Sequence, residues 1–343
     1  MTKQKITIAL RATGKRVLGF LKNVIPVVGD TKREWVRKIV FLLSLLVFIG
    51  SAGYLMDDLW LQPLRTQHIT ESTREWYRID KNNTPVLQPE ADDTTVYPEG
   101  IDPSFLSLYR RNNDVRAWLT FATTGDDLFN GAIDNPVVQT TDNEFYLSHN
   151  YLKQPEKAGT LYFDYRNDLS LGGKNRNLLI YGHNLNSGLM FSKFNLLASG
   201  NVDYAKRLTT LTLDTWYGEH ITYKVFAVMI INADMGQEPM FDYMRTEFTD
   251  GSFMRFVGEL RKRSLFDFND VDIQETDEII TLSTCSNKRE THLKNARTVI
   301  VARRVREGEE KTVDTSKTVK NTDVLMPKMW YIETGKELPE EYR

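Results

Sequence analysis

From Ile39 to Met56 the chain reads IVFLLSLLVFIGSAGYLM, eighteen residues without a charge. A helix of that length rises about 27 Å, close to the ~30 Å hydrocarbon core of a bilayer. Residues 57–80 keep a helical pattern apart from Pro63, whereas 81–104 carry Asn, Pro, Asp and Gly without periodicity and read as a linker. A short helix is expected over 103–113. From Val115 onward the pattern shortens to β-like runs bounded by turn residues: VRAWLTF, NPVVQ, EFYLS, GTLYFDY and RNLLIYGH, then LTTLTLDTWY, HITYKVFAVMIINA, EIITLSTC and RTVIVARRV. About eight strands in this region predict a β-barrel or sandwich. One helix interrupts them: Phe248, Phe253, Phe256, Val257, Leu260 and Leu265 recur at 3–4 spacing, with Asp250 as N-cap. The tail 306–343 is polar, with Met326, Trp330 and Tyr331 as anchors onto the barrel.

Charge adds direction to this layout. Lys+Arg total 44 and Asp+Glu 46 over 343 residues, yet residues 1–38 hold ten basic side chains against Asp30 and Glu34. A basic head on an acidic body argues against nucleic-acid binding by the main domain. Arg37 and Lys38 precede the apolar stretch and Asp57 and Asp58 follow it, so the positive-inside rule puts the N-terminus in the cytoplasm and the body outside. A signal peptide cleaved near Gly50–Ala52 is the alternative, disfavoured by a 38-residue n-region; a buried core helix is the other. The head itself fits either a partly amphipathic stretch on the inner leaflet or a solvated tail.

The chemistry narrows to one thiol. Cys285 is the single cysteine, which excludes an internal disulfide and a cysteine-rich zinc site. A lone cysteine is commonly a small buried hydrophobe. Here it ends the apolar run EIITLSTC and precedes a polar loop, a position at a strand mouth, and a reactive thiolate needs a cationic or imidazole neighbour. Of His68, His149, His183, His220 and His292, two are well placed. His183 ends the run NLLIYGH, and His292 lies seven residues after the thiol. No His-x-x-x-His pair supports metal catalysis.

YGHN at 181–184, TLSTC at 281–285 and RTVIVARRV at 297–305 together resemble the sortases. DNPVVQTTDNEFYL (134–147), GLMFSKF (188–194) and the helix near 250–265 are similar to class B of that family, and the resemblance covers roughly 105–305. It implies a mainly β fold, a closed sortase barrel of about eight strands with a helix inserted between late strands, preceded by N-terminal helices and one transmembrane helix. The implied segments are 1–38 cytoplasmic, 39–56 membrane-spanning, 57–104 extracellular stalk and linker, 105–305 catalytic barrel, and 306–343 tail. The implied activity is a cysteine transpeptidase without a cofactor. Cys285 would attack the Thr carbonyl of a C-terminal sorting motif, of the kind Asn/Ser-Pro-x-Thr, on a secreted protein. An amine of a peptidoglycan precursor or a pilin would resolve the thioacyl-enzyme. His183 would serve as acid and base, and Arg297 would hold the oxyanion. Asn143, Leu147 and Ser283 fall at class B substrate contacts.

Two other readings use the same residues: an exported cysteine peptidase or hydrolase, and a binding module whose cysteine is structural. Arg289 reads as a solvated loop charge, Arg303 as a strand residue about 20 Å beyond Arg297 and so out of reach of the same thiol, and Arg304 as pointing to the opposite face. A chain beginning near residue 80 is expected to be soluble and active, because every candidate site residue lies beyond 140.

Overall fold

A computed structural model describes residues 23–82, 94–122, 133–185, 188–234, 241–286 and 291–343. Most of the basic head, part of the linker and Arg289 lie outside them. The chain forms two compact units, Met1–Leu64 and Arg65–Arg343.

The first unit is built on helix α1, Lys32–Met56. A capping box starts it: the Thr31 hydroxyl accepts from the Glu34 backbone N–H at 3.3 Å, and the Glu34 carboxylate accepts from the Thr31 N–H at 2.9 Å. Val40, Phe41, Leu46, Val47 and Phe48 are all exposed along it. A helix apolar all round and uncovered by protein has the length and composition to cross a membrane. A π-turn at Asp57–Leu61 leads into helix α2, Gln62–Asn82. The π-turn lies immediately ahead of Pro63, the residue that cannot donate to the helical ladder.

The second unit is a closed barrel of eight strands in the order β1-β2-β3-β4-β8-β9-β6-β5, as expected. These are β1 Val115–Ala122, β2 Asp134–Val138, β3 Leu161–Phe163, β4 Asn177–Tyr181, β5 Thr210–Thr215, β6 His220–Asn232, β8 Ile279–Ser286 and β9 Ala296–Arg304. Antiparallel pairing of β5 with β1 closes it. Side chains alternate along each strand. On β1, Ala117, Leu119 and Phe121 belong to the main core and Trp118 to a second cluster outside it. Helix α3, Ser252–Arg263, follows β6 as the periodicity predicts, but its N-cap is Gly251 at φ 67°, not Asp250. The run EFYLS is no strand. Asp142 accepts from the N–H groups of Glu144 and Phe145, and this turn feeds a 3₁₀ helix at Phe145–Leu147.

Short strands β7, Phe266–Phe268, and β10, Thr318–Lys320, pair as a separate ribbon. The tail is thereby stitched to the body, with Met326 buried and Trp330 and Tyr331 packed against the core.

Two placements differ from the sequence reading in kind. Thr66, Thr70, Thr73 and Tyr77 form one face of α2 and are buried. Tyr77 stacks on Trp118 with ring centroids 4.3 Å apart, and Arg74 Nε donates to the Asp134 carbonyl at 2.7 Å. Arg303 is 0% exposed, and its Nη2 donates to Glu309 at 2.6 Å beside the Lys224–Glu309 pair at 2.8 Å. A turn after β9 covers it, which a strand pattern alone does not reveal.

Candidate active site

The barrel order sets the geometry. β4 and β8 run parallel, so both end on the same rim, and β9 begins there because it is antiparallel to β8. Cys285 pairs directly with Arg297 across β8 and β9. Directly opposed residues put their Cβ atoms about 4.5–5.5 Å apart on one face. Tyr181 pairs with Ser283, and the Gly182 N–H donates to the Ser283 carbonyl at 3.2 Å. Continuing that parallel register brings His183 level with Cys285. Asn184 ties the two chain segments together, its Nδ2 donating to the Cys285 carbonyl at 2.9 Å and to Asn195 Oδ1 at 2.7 Å. Glycine at 182 is required here: a Cβ would stand 2.3 Å from a Leu161 methyl.

His183 Nε2 lies 2.7 Å from the Leu147 carbonyl oxygen. A carbonyl only accepts, so Nε2 carries the proton, and in the neutral ring Nδ1 is the free acceptor. The Leu147 side chain points outward at 42% exposure, so it is the backbone of Leu147 that meets the histidine. Gly159 closes this corner at φ +60°; a Cβ there would lie 2.4 Å from the Tyr146 carbonyl and 3.1 Å from the His183 ring.

Cys285 is exposed and unbridged. Arg297 is half-buried, and its Nη1 donates to Asn295 Oδ1 at 2.8 Å and to the Ala296 carbonyl at 3.1 Å. Asn295 is itself held by Asp234, to which its Nδ2 donates at 3.0 Å. Ser283 lies two positions behind the thiol, buried, with its hydroxyl 3.0 Å from that of Tyr243. Tyr162 and Tyr243 both lie within electrostatic reach of Cys285 and Arg297, and burial pushes both phenols up, so they stay protonated as donors.

Asn143 is not free to meet a ligand as it stands. Its Nδ2 donates to Asp164 at 3.1 Å, and its Oδ1 accepts the Tyr165 N–H at 3.0 Å. Asp164 is fully buried and also accepts from the Tyr181 hydroxyl at 2.8 Å and from Arg166 Nε at 2.8 Å. Burial opposes its charge, but these donors win and hold its carboxyl below the usual range. Arg166 reaches on to the Met244 carbonyl at 3.2 Å. One carboxylate thus braces the Asn143 loop, the strand leading to His183 and the segment carrying Tyr243.

His292 is exposed at φ 62°, and His220 pairs with Asp214; neither joins this cluster. Among the described residues no group of three or more His, Cys, Asp or Glu is placed to hold a metal. Sequence reading missed Asn184, Asn295, Asp164 and Tyr243. Asn184 alone carried a local signal, as the residue after His183 at a strand end.

Residues 130–305 match the family model of the sortase domain. The chain is 31% identical over 266 residues to a Sortase B of Listeria monocytogenes, covering 75% of this chain and 93% of that protein. It is 27% identical over 213 residues to a Sortase B of Staphylococcus aureus, covering 60% and 77%. A crystal structure of sortase B from Bacillus anthracis in complex with AAEK2 superposes with a TM-score of 0.55 at 26% identity, covering 71% of this chain and 97% of that one.

Proposed function

This chain belongs to the sortase family of cysteine transpeptidases, and from that premise we propose that Cys285, His183 and Arg297 carry its reaction at the barrel rim. The observation that supports the reading most is the direct β8–β9 pairing of Cys285 with Arg297, with His183 in register beside them. The Cys285 thiolate attacks the Thr carbonyl of a sorting motif near the C-terminus of a secreted protein. An S–C bond forms, and the carbonyl oxygen takes up negative charge. The Arg297 guanidinium, always charged and steadied through Asn295, donates to that oxygen. His183, held at Nε2 by Leu147, takes the Cys285 thiol proton at Nδ1 as the thiolate forms and gives it to the leaving amine as the C–N bond breaks. An incoming amine from a peptidoglycan precursor or a pilin then attacks the thioester, loses a proton to Nδ1 and expels the thiolate. Substrate contacts fall to Leu147, Ser283 and Asn143, the last by exchanging its hold on Asp164. Helix α1 anchors the protein in the cell membrane as a single span, with the N-terminus cytoplasmic and the barrel outside.

The test is a fluorogenic peptide panel with and without a glycine-based amine, read by mass spectrometry. Ligated product from an Asn-Pro-x-Thr peptide, absent with Cys285→Ala, is expected. Hydrolysis alone at saturating amine means a peptidase, and preferred turnover of Leu-Pro-x-Thr-Gly sinks the class B substrate assignment.

A further inference from the structure

Arg297 has neighbours on both sides, Cys285 on β8 and the exit of β6 on the other. The β6–β9 register ends with Asn232 opposite Ala296, and one more ladder bond follows it, the Ala233 N–H donating to the Asn295 carbonyl at 2.8 Å. Asn232 then turns the chain, its Oδ1 accepting the Asp234 N–H at 3.2 Å. Asp234 and Asn295, both half-buried, are thereby brought together at the rim. Asn295 Nδ2 donates to Asp234 Oδ1 at 3.0 Å, and Asn295 Oδ1 accepts from Arg297 Nη1 at 2.8 Å.

The chemical order of these three groups is not arbitrary. A guanidinium only donates, an ionised carboxylate only accepts, and a primary amide does both. An amide between the other two therefore has one satisfied orientation: its NH2 toward Asp234 and its oxygen toward Arg297. Without Asp234, half a turn of the Asn295 amide would set its NH2 against the guanidinium, donor facing donor. The intervening amide also keeps the carboxylate from pairing directly with the arginine, which would tie up its donors and offset its charge. Among the described residues Arg297 donates from Nη1 alone, to Asn295 and to the Ala296 carbonyl at 3.1 Å. Nε and Nη2 are left for a developing oxyanion.

We propose that Asp234 is a positioning residue for the transpeptidation: it fixes the amide of Asn295, and through it the guanidinium of Arg297 beside Cys285. The inference rests on the reading of Arg297 as the oxyanion donor. Asp234 itself touches neither the thiol nor the substrate carbonyl. Its effect is on where the fork points, and a donor misplaced by about 1 Å can cost as much as 10²-fold in rate.

The experiment uses the full-length chain in detergent micelles and two readouts. The first is turnover of the sorting peptide. Asp234→Ala and Asn295→Ala should each lower kcat about tenfold, less than the ~10²–10³ expected for Arg297→Ala. KM should stay within about twofold and Tm within about 2 °C. Asp234→Asn keeps an acceptor oxygen for the Asn295 amide and should lie between Asp234→Ala and the unaltered chain. In an Arg297→Ala background Asp234→Ala should cost nothing further, because the group it positions is gone. The second readout does not depend on turnover: the rate at which phenylglyoxal modifies Arg297, followed by peptide mass spectrometry. Both alanine variants should raise it several-fold by freeing the guanidinium. The proposal is overturned if the phenylglyoxal rate is unchanged in both variants, if kcat is unchanged while Arg297→Ala is inactive, or if Asp234→Ala costs the same factor with and without Arg297. Undiminished turnover by Arg297→Ala would sink the oxyanion reading instead, and the phenylglyoxal rates would still decide whether Asp234 holds the arginine.

Discussion

Removing Tyr77 should cost the barrel more than its place in the sequence suggests. The ring is 5% exposed, stacks on Trp118 at 4.3 Å and 9°, meets Phe105 edge-on at 5.5 Å, and its hydroxyl donates to Asp214. Truncating a buried aromatic to alanine costs about 3–5 kcal/mol, against a total of about 5–15 for a typical domain. Each kcal/mol moves the midpoint of a unit this large by about 2–4 °C, so Tyr77→Ala should lower Tm by about 6–20 °C. Tyr77→Phe keeps the stack and loses only the bond to Asp214, so its fall should be distinctly smaller. A chain beginning near residue 80 also loses Arg74 on Asp134 and Thr66 on Glu156. It should melt at least as low as Tyr77→Ala, against the sequence-based expectation that a chain from that point is soluble and active. Differential scanning calorimetry on chains beginning near 58 and near 80, with both Tyr77 variants, reads all of this. Midpoints within about 2 °C across the set would refute the assignment of α2 to the barrel's fold.

Arg297→Ala should lose about 10²–10³ in kcat with the fold intact, and Arg297→Lys should recover little; steady-state turnover of a sorting peptide measures both, and a dead Arg304→Ala beside an active Arg297→Ala would reverse the assignment. Asp164→Asn places an amide against the donors Arg166 and Asn143, so Tm and kcat/KM should fall together, and a variant unchanged in kcat/KM would show that the brace does not reach His183. Hydrogen bonds from Arg303 hold Glu309 well below its usual pKa, so this pair stabilises the fold above the unfolded value of about 4.3 and loses its contribution as pH falls below it. Melting at pH 3–7 (about one-unit steps) should show this loss, and Glu309→Gln should lower the neutral-pH midpoint and flatten the acid slope. A membrane-impermeant maleimide should label Cys285 on wall-permeabilised intact cells but not Cys285→Ala, and labelling only after lysis contradicts an external barrel.

The barrel was legible because its strands are short apolar or alternating runs bounded by turn residues. Runs such as LTTLTLDTWY and HITYKVFAVMIINA announce β5 and β6 without any partner in view. The segment EFYLS has the same alternation, but its fate was decided by Asp142, whose side chain captures two backbone N–H groups and curls the chain. Helix α2 was expected, but its packing on the barrel hid for the opposite reason. Its buried face is Thr66, Thr70, Thr73 and Tyr77, and threonines give no hydrophobic periodicity although their methyl groups pack. The burial of Arg303 could not be read from its strand because its cover, the turn bearing Glu309, comes from later in the chain.

At the rim, residue type and strand position were enough to single out Cys285, His183 and Arg297, but not what fixes them. The parallel pairing of β4 with β8 is a property of the closed sheet, and it is this pairing that converts two strand ends, about a hundred residues apart, into neighbours. The same topology explains why the supporting residues were silent. Asp164 leaves β3 as an ordinary acid in the run LYFDY, and only the closed barrel gathers Asn143, Tyr181 and Arg166 around it. A fully buried carboxylate survives only where such donors converge. Its burial is therefore a consequence of the site's assembly: the loop ahead of the histidine, the histidine's own strand and the segment over Ser283 must all be in place before Asp164 is satisfied, which couples the shape of the rim to the completeness of the fold.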